Sequence, residues 1–246
     1  MRALAIVHQE DAGPGVFAEE MDARGVQLDE WKLSERGTGP PREIADYDAV
    51  LTFGGAMHAD QEDRHPWLRF EKDFLAAMLD DGMPILAVCL GTQVLADAAG
   101  GEVRRASEPE IGWFEVDVTG EGAADPVIGP LAPSFTGFQW HSYEAIPPDG
   151  AAVLARSGVC PQAYRIGDRV WGIQFHAEVS AADLLHWIDD YQADEDAVRI
   201  GVDPEKLRAD TEPRLADWNR LGRELCGRFL DQVFDFMGPW QRRGRL

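Results

Sequence analysis

A chain of 246 residues, 45% of them hydrophobic and 27% charged, is long enough to bury one substantial core and too apolar to remain disordered. Its 23 basic and 44 acidic residues leave a net charge of −21, a field that repels phosphate backbones and anionic lipid surfaces, so neither nucleic acid nor a membrane is an expected partner. Cys89, Cys160 and Cys226 are too scattered and odd in number for a disulfide framework or a zinc ribbon; with no signal-like N-terminus and no run of roughly 18 apolar residues, a cytoplasmic location is expected.

Short apolar runs bounded by turn residues alternate with segments of helical period, the signature of βαβ units around a largely parallel sheet. Residues 3–7 read as the first buried strand, 17–24 as a helix, 26–31 as a second strand and 48–53 as a third that runs into Gly54-Gly55. Trp67, Phe70, Phe74, Leu75 and Met78 fall at helical spacing, and Gly82 with Pro84 ends that helix. Residues 84–88 form the next strand, and 92–99 are rich in helix formers and stop at Gly100-Gly101. The following half reads as strands over 113–118, 134–140, 152–155, 163–166 and 170–174. Helices are expected at 181–191 and twice within 204–237. The acidic stretch 189–217 reads as a surface helix pair or a lid, and residues 241–246 as a solvated basic end.

Cys89 stands where an apolar strand meets a helix. A sharp turn there lifts its side chain out of the carboxyl edge of the sheet, where open α/β sheets bind ligands. The helix N-terminus supplies unpaired N–H groups and partial positive charge that favour the thiolate. Taken alone, such a cysteine is more often a small buried hydrophobe. The strand over 170–174 leads into His176-Ala177-Glu178, and residues two apart on a strand share a face. Glu178 can therefore orient His176 while His176 takes a thiol proton. Gly54-Gly55 ends the third strand, and its amides together with that of Leu90 could donate to an oxyanion. Cys160 and Cys226 lack an elbow and read as inert. His8, His58, His65 and His186 read as surface or capping residues, with His58 and His65 near the pocket edge. No metal-ligand cluster and no cofactor is expected.

These segments, FGGAMHADQEDRHPWL at 53–68, PILAVCLGTQVLA at 84–96, EIGW at 110–113 and WGIQFHAE at 171–178, resemble the class I glutamine amidotransferase family, most of all the glutaminase domain related to GMP synthase. The resemblance implies a three-layer α/β sandwich with a mainly parallel, mixed, flavodoxin-like sheet over 1–190 and a C-terminal helical extension over 191–246 packed on the same domain. It implies Cys89 as the nucleophile that forms a γ-glutamyl thioester and releases ammonia, with His176 and Glu178 as base and orienter. Gly55 and Leu90 match the oxyanion donors, and Gly54, Gln93, His141 and Ser142 match the substrate-binding wall. The implied substrate is glutamine or another γ-glutamyl compound. A separate synthetase or acceptor subunit is a possible partner, because no phosphate-binding glycine-rich loop occurs in the chain. A hydrolase of another γ-glutamyl amide and a non-catalytic regulator that retains the fold are the alternatives. Ala87 and Ala177 depart from the family's usual Gly and Pro.

Overall fold

The computed structural model describes residues 1–33 and 39–241, with side chains described as far as Phe236. The expected solvated end beyond Gln241 lies outside the described residues. The apolar runs become strands β1 (Arg2–Val7), β2 (Gln27–Lys32), β3 (Ala49–Thr52) and β4 (Ile85–Val88), with helices α1 (Gly15–Ala23) and α2 (Trp67–Asp80) between them. Helix α3 (Leu90–Ala98) follows β4 after the single residue Cys89. Then come β5 (Glu102–Val118), the short α4 (Gly120–Ala123), β6 (Ser134–Ile146), β7 (Ala152–Arg156), β8 (Pro161–Ile166) and β9 (Val170–Ile173). Helices α5 (Ala181–Asp189), α6 (Glu195–Ile200), α7 (Pro204–Thr211) and α8 (Leu215–Gln241) close the chain.

The nine strands form one sheet in the order β2-β1-β3-β4-β9-β8-β7-β5-β6. The first five strands in that order are mutually parallel. From β8 onward the pairings are antiparallel, which makes the sheet mixed. Parallel strands are covered on both faces, so they read as unbroken apolar runs, and alternate residues enter different layers. Ala3, Ala5 and Val7 of β1 pack with Val16, Phe17 and Met21 of α1 and with Leu225, Phe229 and Val233 of α8. Leu4 and Ile6 of the same strand pack with Leu68, Leu75 and Met78 of α2 and Val94 and Leu95 of α3. The result is the expected three-layer sandwich.

Two of the boundaries that differ from the sequence reading bear on the site. Strand β5 begins at Glu102 rather than near Trp113, because its first half is an exposed hairpin arm with a register shift between Arg105 and Glu110. Its polar side chains hide it from any hydrophobic pattern. Strand β9 ends at Ile173, so His176 and Glu178 lie beyond the strand, and something other than strand alternation must bring them together. Among the described residues, no helix is long and apolar enough to cross a membrane.

Candidate functional site

The site is built where β1, β3, β4 and β9 end. Cys89 follows the last residue of β4 and caps α3 with φ 51° and ψ −110°, and no other non-glycine residue among those described has positive φ. An L-residue adopts that backbone at a cost of about 1–3 kcal/mol, which persists where the surroundings over-determine it. They do so here. The Cys89 amide donates to the Ile173 carbonyl (2.9 Å), and its carbonyl accepts from the Gln93 amide (3.1 Å). The Gly91 amide donates to Phe53 (2.9 Å), locking the first turn of α3 onto β3, and a Cβ at Gly91 would lie 2.6 Å from the Thr52 carbonyl oxygen. Ala87 is fully buried opposite Thr52 and Gly172 inside β4, so its methyl is absorbed by regular strand packing and the unusual backbone is confined to Cys89.

The segment after β9 is pinned from several sides. The His176 amide donates to the Phe138 carbonyl (2.9 Å), and the Trp218 indole N–H on α8 donates to the His176 carbonyl (2.8 Å). The Glu178 carbonyl accepts from the Val16 amide (2.8 Å), and Asn219 donates to Val179 (2.8 Å). Gly222 of α8 lies directly against the Ala177 carbonyl, leaving no room for a Cβ. With its backbone so held, His176 places Nδ1 2.8 Å from Glu178 Oε1, and its ring also lies within interaction distance of Cys89. Both His176 and Glu178 are almost fully buried. Burial alone would lower the imidazole pKa, but the negative charge available on Cys89 and Glu178 and the hydrogen bonds to both raise it well above the ordinary value. Trp187 stands edge-on against the His176 ring with centroids 4.9 Å apart.

Glycines make this close approach possible. A Cβ at Gly54 would sit 3.1 Å from His176 Cε1 and 3.7 Å from Cys89 Cβ, and one at Gly55 would sit 3.0 Å from His8 Cβ and 3.1 Å from Leu90 Cδ2. Gly55 and Leu90 therefore lie against each other, and both line the cavity that Cys89 borders. His8 is buried rather than on the surface as its sequence context suggests: Nδ1 donates to the Gly54 carbonyl (3.0 Å), and Nε2 meets Glu71 Oε2 at 2.8 Å. The Gly54 carbonyl and the Gly55 N–H belong to one planar peptide, so gripping the first aims the second. A signal existed in the sequence: His8 follows the last residue of β1, at the sheet edge where ligands bind.

The thiol opens into a cavity of about 630 Å³, a size suited to a small molecule. Gly55, Leu90, Gln93, His141 and Ser142 join Cys89 and His176 in its lining. Gln93 is nevertheless committed to protein partners, donating to the Tyr143 carbonyl (3.1 Å) and Gln174 Oε1 (3.3 Å). Ser142 hydrogen-bonds Asp196, and the His141 ring turns away from the cavity toward Glu110. His58 edges the cavity stacked on Tyr143 with centroids 4.2 Å apart. The segment before and within α6 completes the wall. Asp194 accepts from the Trp140 indole (2.9 Å), and Asp196 is bound by Arg199 (2.7 Å) and Arg105. Sequence reading marks this acidic stretch as a surface pair or lid without fixing which residues reach the pocket.

An open α/β sheet with an elbow cysteine, a histidine and a glutamate at its carboxyl edge holds the kinds of group that acyl transfer through a thiol requires. Its family follows from comparison with known proteins: a model of the class I glutamine amidotransferases matches residues 18–186. The chain belongs to the class I glutamine amidotransferase family, a family of enzymes. It is 26% identical to the glutamine amidotransferase-like protein YfeJ of Salmonella typhimurium, over 95% of this chain and 97% of that one. It is 33% identical to one of the subunits of the glutamine-hydrolysing GMP synthase of Halobacterium salinarum, over 65% and 79% of the two chains. A crystal structure of a glutamine amidotransferase from Thermotoga maritima superposes with a TM-score of 0.83 at 27% identity, over 94% and 98% of the chains.

Proposed function

We propose that the chain hydrolyses the side-chain amide of glutamine to glutamate and ammonia, with Cys89 as nucleophile. The observation that carries this is the strained elbow at Cys89, beside a buried His176 that is itself held by Glu178, on the lining of a cavity large enough for an amino acid. The Cys89 sulfur attacks the amide carbon while His176 holds the thiol proton. The carbonyl oxygen takes up negative charge against the Gly55 and Leu90 N–H groups. His176 returns the proton to the leaving nitrogen, ammonia departs, and a γ-glutamyl thioester remains. Water activated by His176 then cleaves the thioester to glutamate and restores the thiol. Glu178 holds the imidazole in one orientation throughout. Gly54, Gln93, His141 and Ser142 shape the wall around the amino-acid end of the substrate, Gln93 and His141 through the backbone they fix. Residues 191–246 work as part of the same domain, α6 by walling the pocket and α8 by pinning the His176 segment.

The relatives named as components of GMP synthase favour a partner that consumes the ammonia; a cytoplasmic location is part of the same proposal. A second reading has its own support: Asp11, Asp190, Asp194, Glu195 and Asp196 line the cavity and outnumber its arginines, Arg64, Arg105 and Arg199. A wall of that charge suits a γ-glutamyl amide whose leaving amine is cationic. Ammonia release from glutamine, measured beside amine release from a γ-glutamyl polyamine, separates the two, and mass spectrometry of the trapped adduct tests the nucleophile. Absence of a γ-glutamyl group on Cys89 with either substrate overturns both readings.

A further inference from the structure

A second cluster of the same residue types lies away from the elbow. Glu110 of β5, His141 of β6 and Cys160, just before β8, are each buried, and their ligand-capable atoms lie within 4.8 Å of one another. Glu110 Oε2 sits 3.3 Å from His141 Nε2 and 3.6 Å from Cys160 Sγ. A tetrahedral zinc ion with bonds of about 2.0 Å to nitrogen and oxygen and about 2.3 Å to sulfur sets its ligand atoms roughly 3.3–3.6 Å apart.

The pattern of hydrogen bonds points the same way. His141 Nδ1 donates to the Tyr143 carbonyl (3.0 Å), which leaves Nε2 as an acceptor in the neutral ring; that buried atom has no hydrogen-bond partner and faces a carboxylate. A histidine that spends one ring N–H on a backbone carbonyl and offers the other nitrogen is the usual posture of a metal ligand. Glu110 Oε2 is crowded besides, accepting from Ser157 Oγ (3.0 Å) and Gln162 Nε2 (2.8 Å) while meeting Cys160 and His141. Four neighbours around one oxygen exceed the roughly two lone pairs it offers. His8 gives the internal contrast. It too lies between a carbonyl and a carboxylate, but there the contact closes to a 2.8 Å bond. At His141 the gap stays open and a thiol lines it. A cavity of about 440 Å³ borders the cluster on the side of Ser157 and Cys160.

We propose that Glu110, His141 and Cys160 bind a zinc-like divalent cation, with water in the fourth position. Binding forms the metal–sulfur bond as the Cys160 proton passes to solvent, so one proton leaves per ion bound. The ion ties β5, β6 and β8 together behind Trp140, whose carbonyl lies 3.9 Å from Cys89 Sγ. Its role is structural, and it stands whether or not Cys89 is the nucleophile.

The test uses the full chain carrying Cys89→Ala, which removes the pocket thiol; Cys226 of α8 stays sealed against α1. After chelation, reloading with zinc and dialysis, metal analysis should find about one ion per chain. Cobalt in its place should give a thiolate charge-transfer band. Adding Cys160→Ser should weaken zinc binding by more than about 100-fold and abolish the band. Glu110→Gln gives the same reading on affinity if the serine variant folds poorly. Failure to retain zinc, a cobalt spectrum without the thiolate band, or undiminished binding in the variants would overturn the proposal.

Discussion

Cysteine, histidine and glutamate meet twice in this molecule, and the two meetings are wired differently. At the elbow, histidine is the middle member: Glu178 takes Nδ1 of His176, and the far side of the ring reaches Cys89. Behind the pocket wall, the carboxylate is the middle member. His141 and Cys160 both approach Glu110 Oε2, while a backbone carbonyl takes His141 Nδ1. A histidine in the middle can relay a proton from thiol to leaving group. A carboxylate in the middle gathers ligands and relays nothing. Burial and the Glu110 charge push the Cys160 thiol pKa far up, so without a cation it stays protonated. Residue type alone therefore says little about reactivity, and connectivity decides it.

The largest effect that would break this comparison is at the proposed nucleophile. Cys89→Ala should abolish ammonia release, a loss of more than about 10⁴-fold in kcat, measured by a coupled glutamate assay. Residual activity within tenfold of the native chain would move the chemistry elsewhere. Next comes the orienter. Glu178→Gln keeps the shape but replaces the acceptor facing Nδ1 by a group that can present an N–H, so kcat should fall by about 10²- to 10⁴-fold with KM little changed. If KM moved instead, Glu178 would be a binding residue.

A third change tests whether α8 builds the relay from outside. Gly222→Ala pushes a methyl into the Ala177 carbonyl, between His176 and Glu178. Overpacking of this kind costs about 1–3 kcal/mol of stability, read as a lower urea midpoint. Ammonia release should drop as well, since the carbonyl and the two side chains share one pinned segment. A variant that loses stability but keeps kcat would show that the relay does not depend on this contact.

What the sequence discloses divides along the same line. The elbow is local: an apolar strand, one cysteine and a helix former lie within ten residues, and β1, β3 and β4 show as apolar runs that must be buried on both faces. His176 and Glu178 are also neighbours, although a loop pinned by Trp218, Asn219 and Val16 brings them together rather than the strand alternation their spacing suggests. The second cluster draws its members from β5, β6 and the turn before β8, which only long-range pairing brings together. The first half of β5 is polar because one of its faces meets water, so neither the strand nor Glu110 as an inward residue is legible. His8 fails for another reason: its partner Glu71 sits on the apolar face of α2, where a charged residue would be expected to turn outward.

His8 also supplies the smallest prediction, and it isolates what a histidine does between a carbonyl and a carboxylate when no thiol is present. Its ring stacks on Trp67 (centroids 5.3 Å apart), and Thr52 Oγ1 donates to the other oxygen of Glu71 (2.6 Å), so the ion pair is enclosed by β1, β3 and α2. Burial alone would lower the His8 pKa; the Glu71 charge and hydrogen bond, with the Gly54 carbonyl, raise it above the ordinary value. A group whose folded-state pKa is raised contributes stability that is complete below its unfolded value, about 6.5, and is lost as pH rises through the folded value. One proton can supply a slope of at most about 1.4 kcal/mol per pH unit. Urea midpoints of the native chain should therefore fall as pH climbs above 6.5, and His8→Gln should flatten part of that fall. Parallel pH curves for the two proteins would mean that His8 grips the Gly54 peptide as a neutral ring.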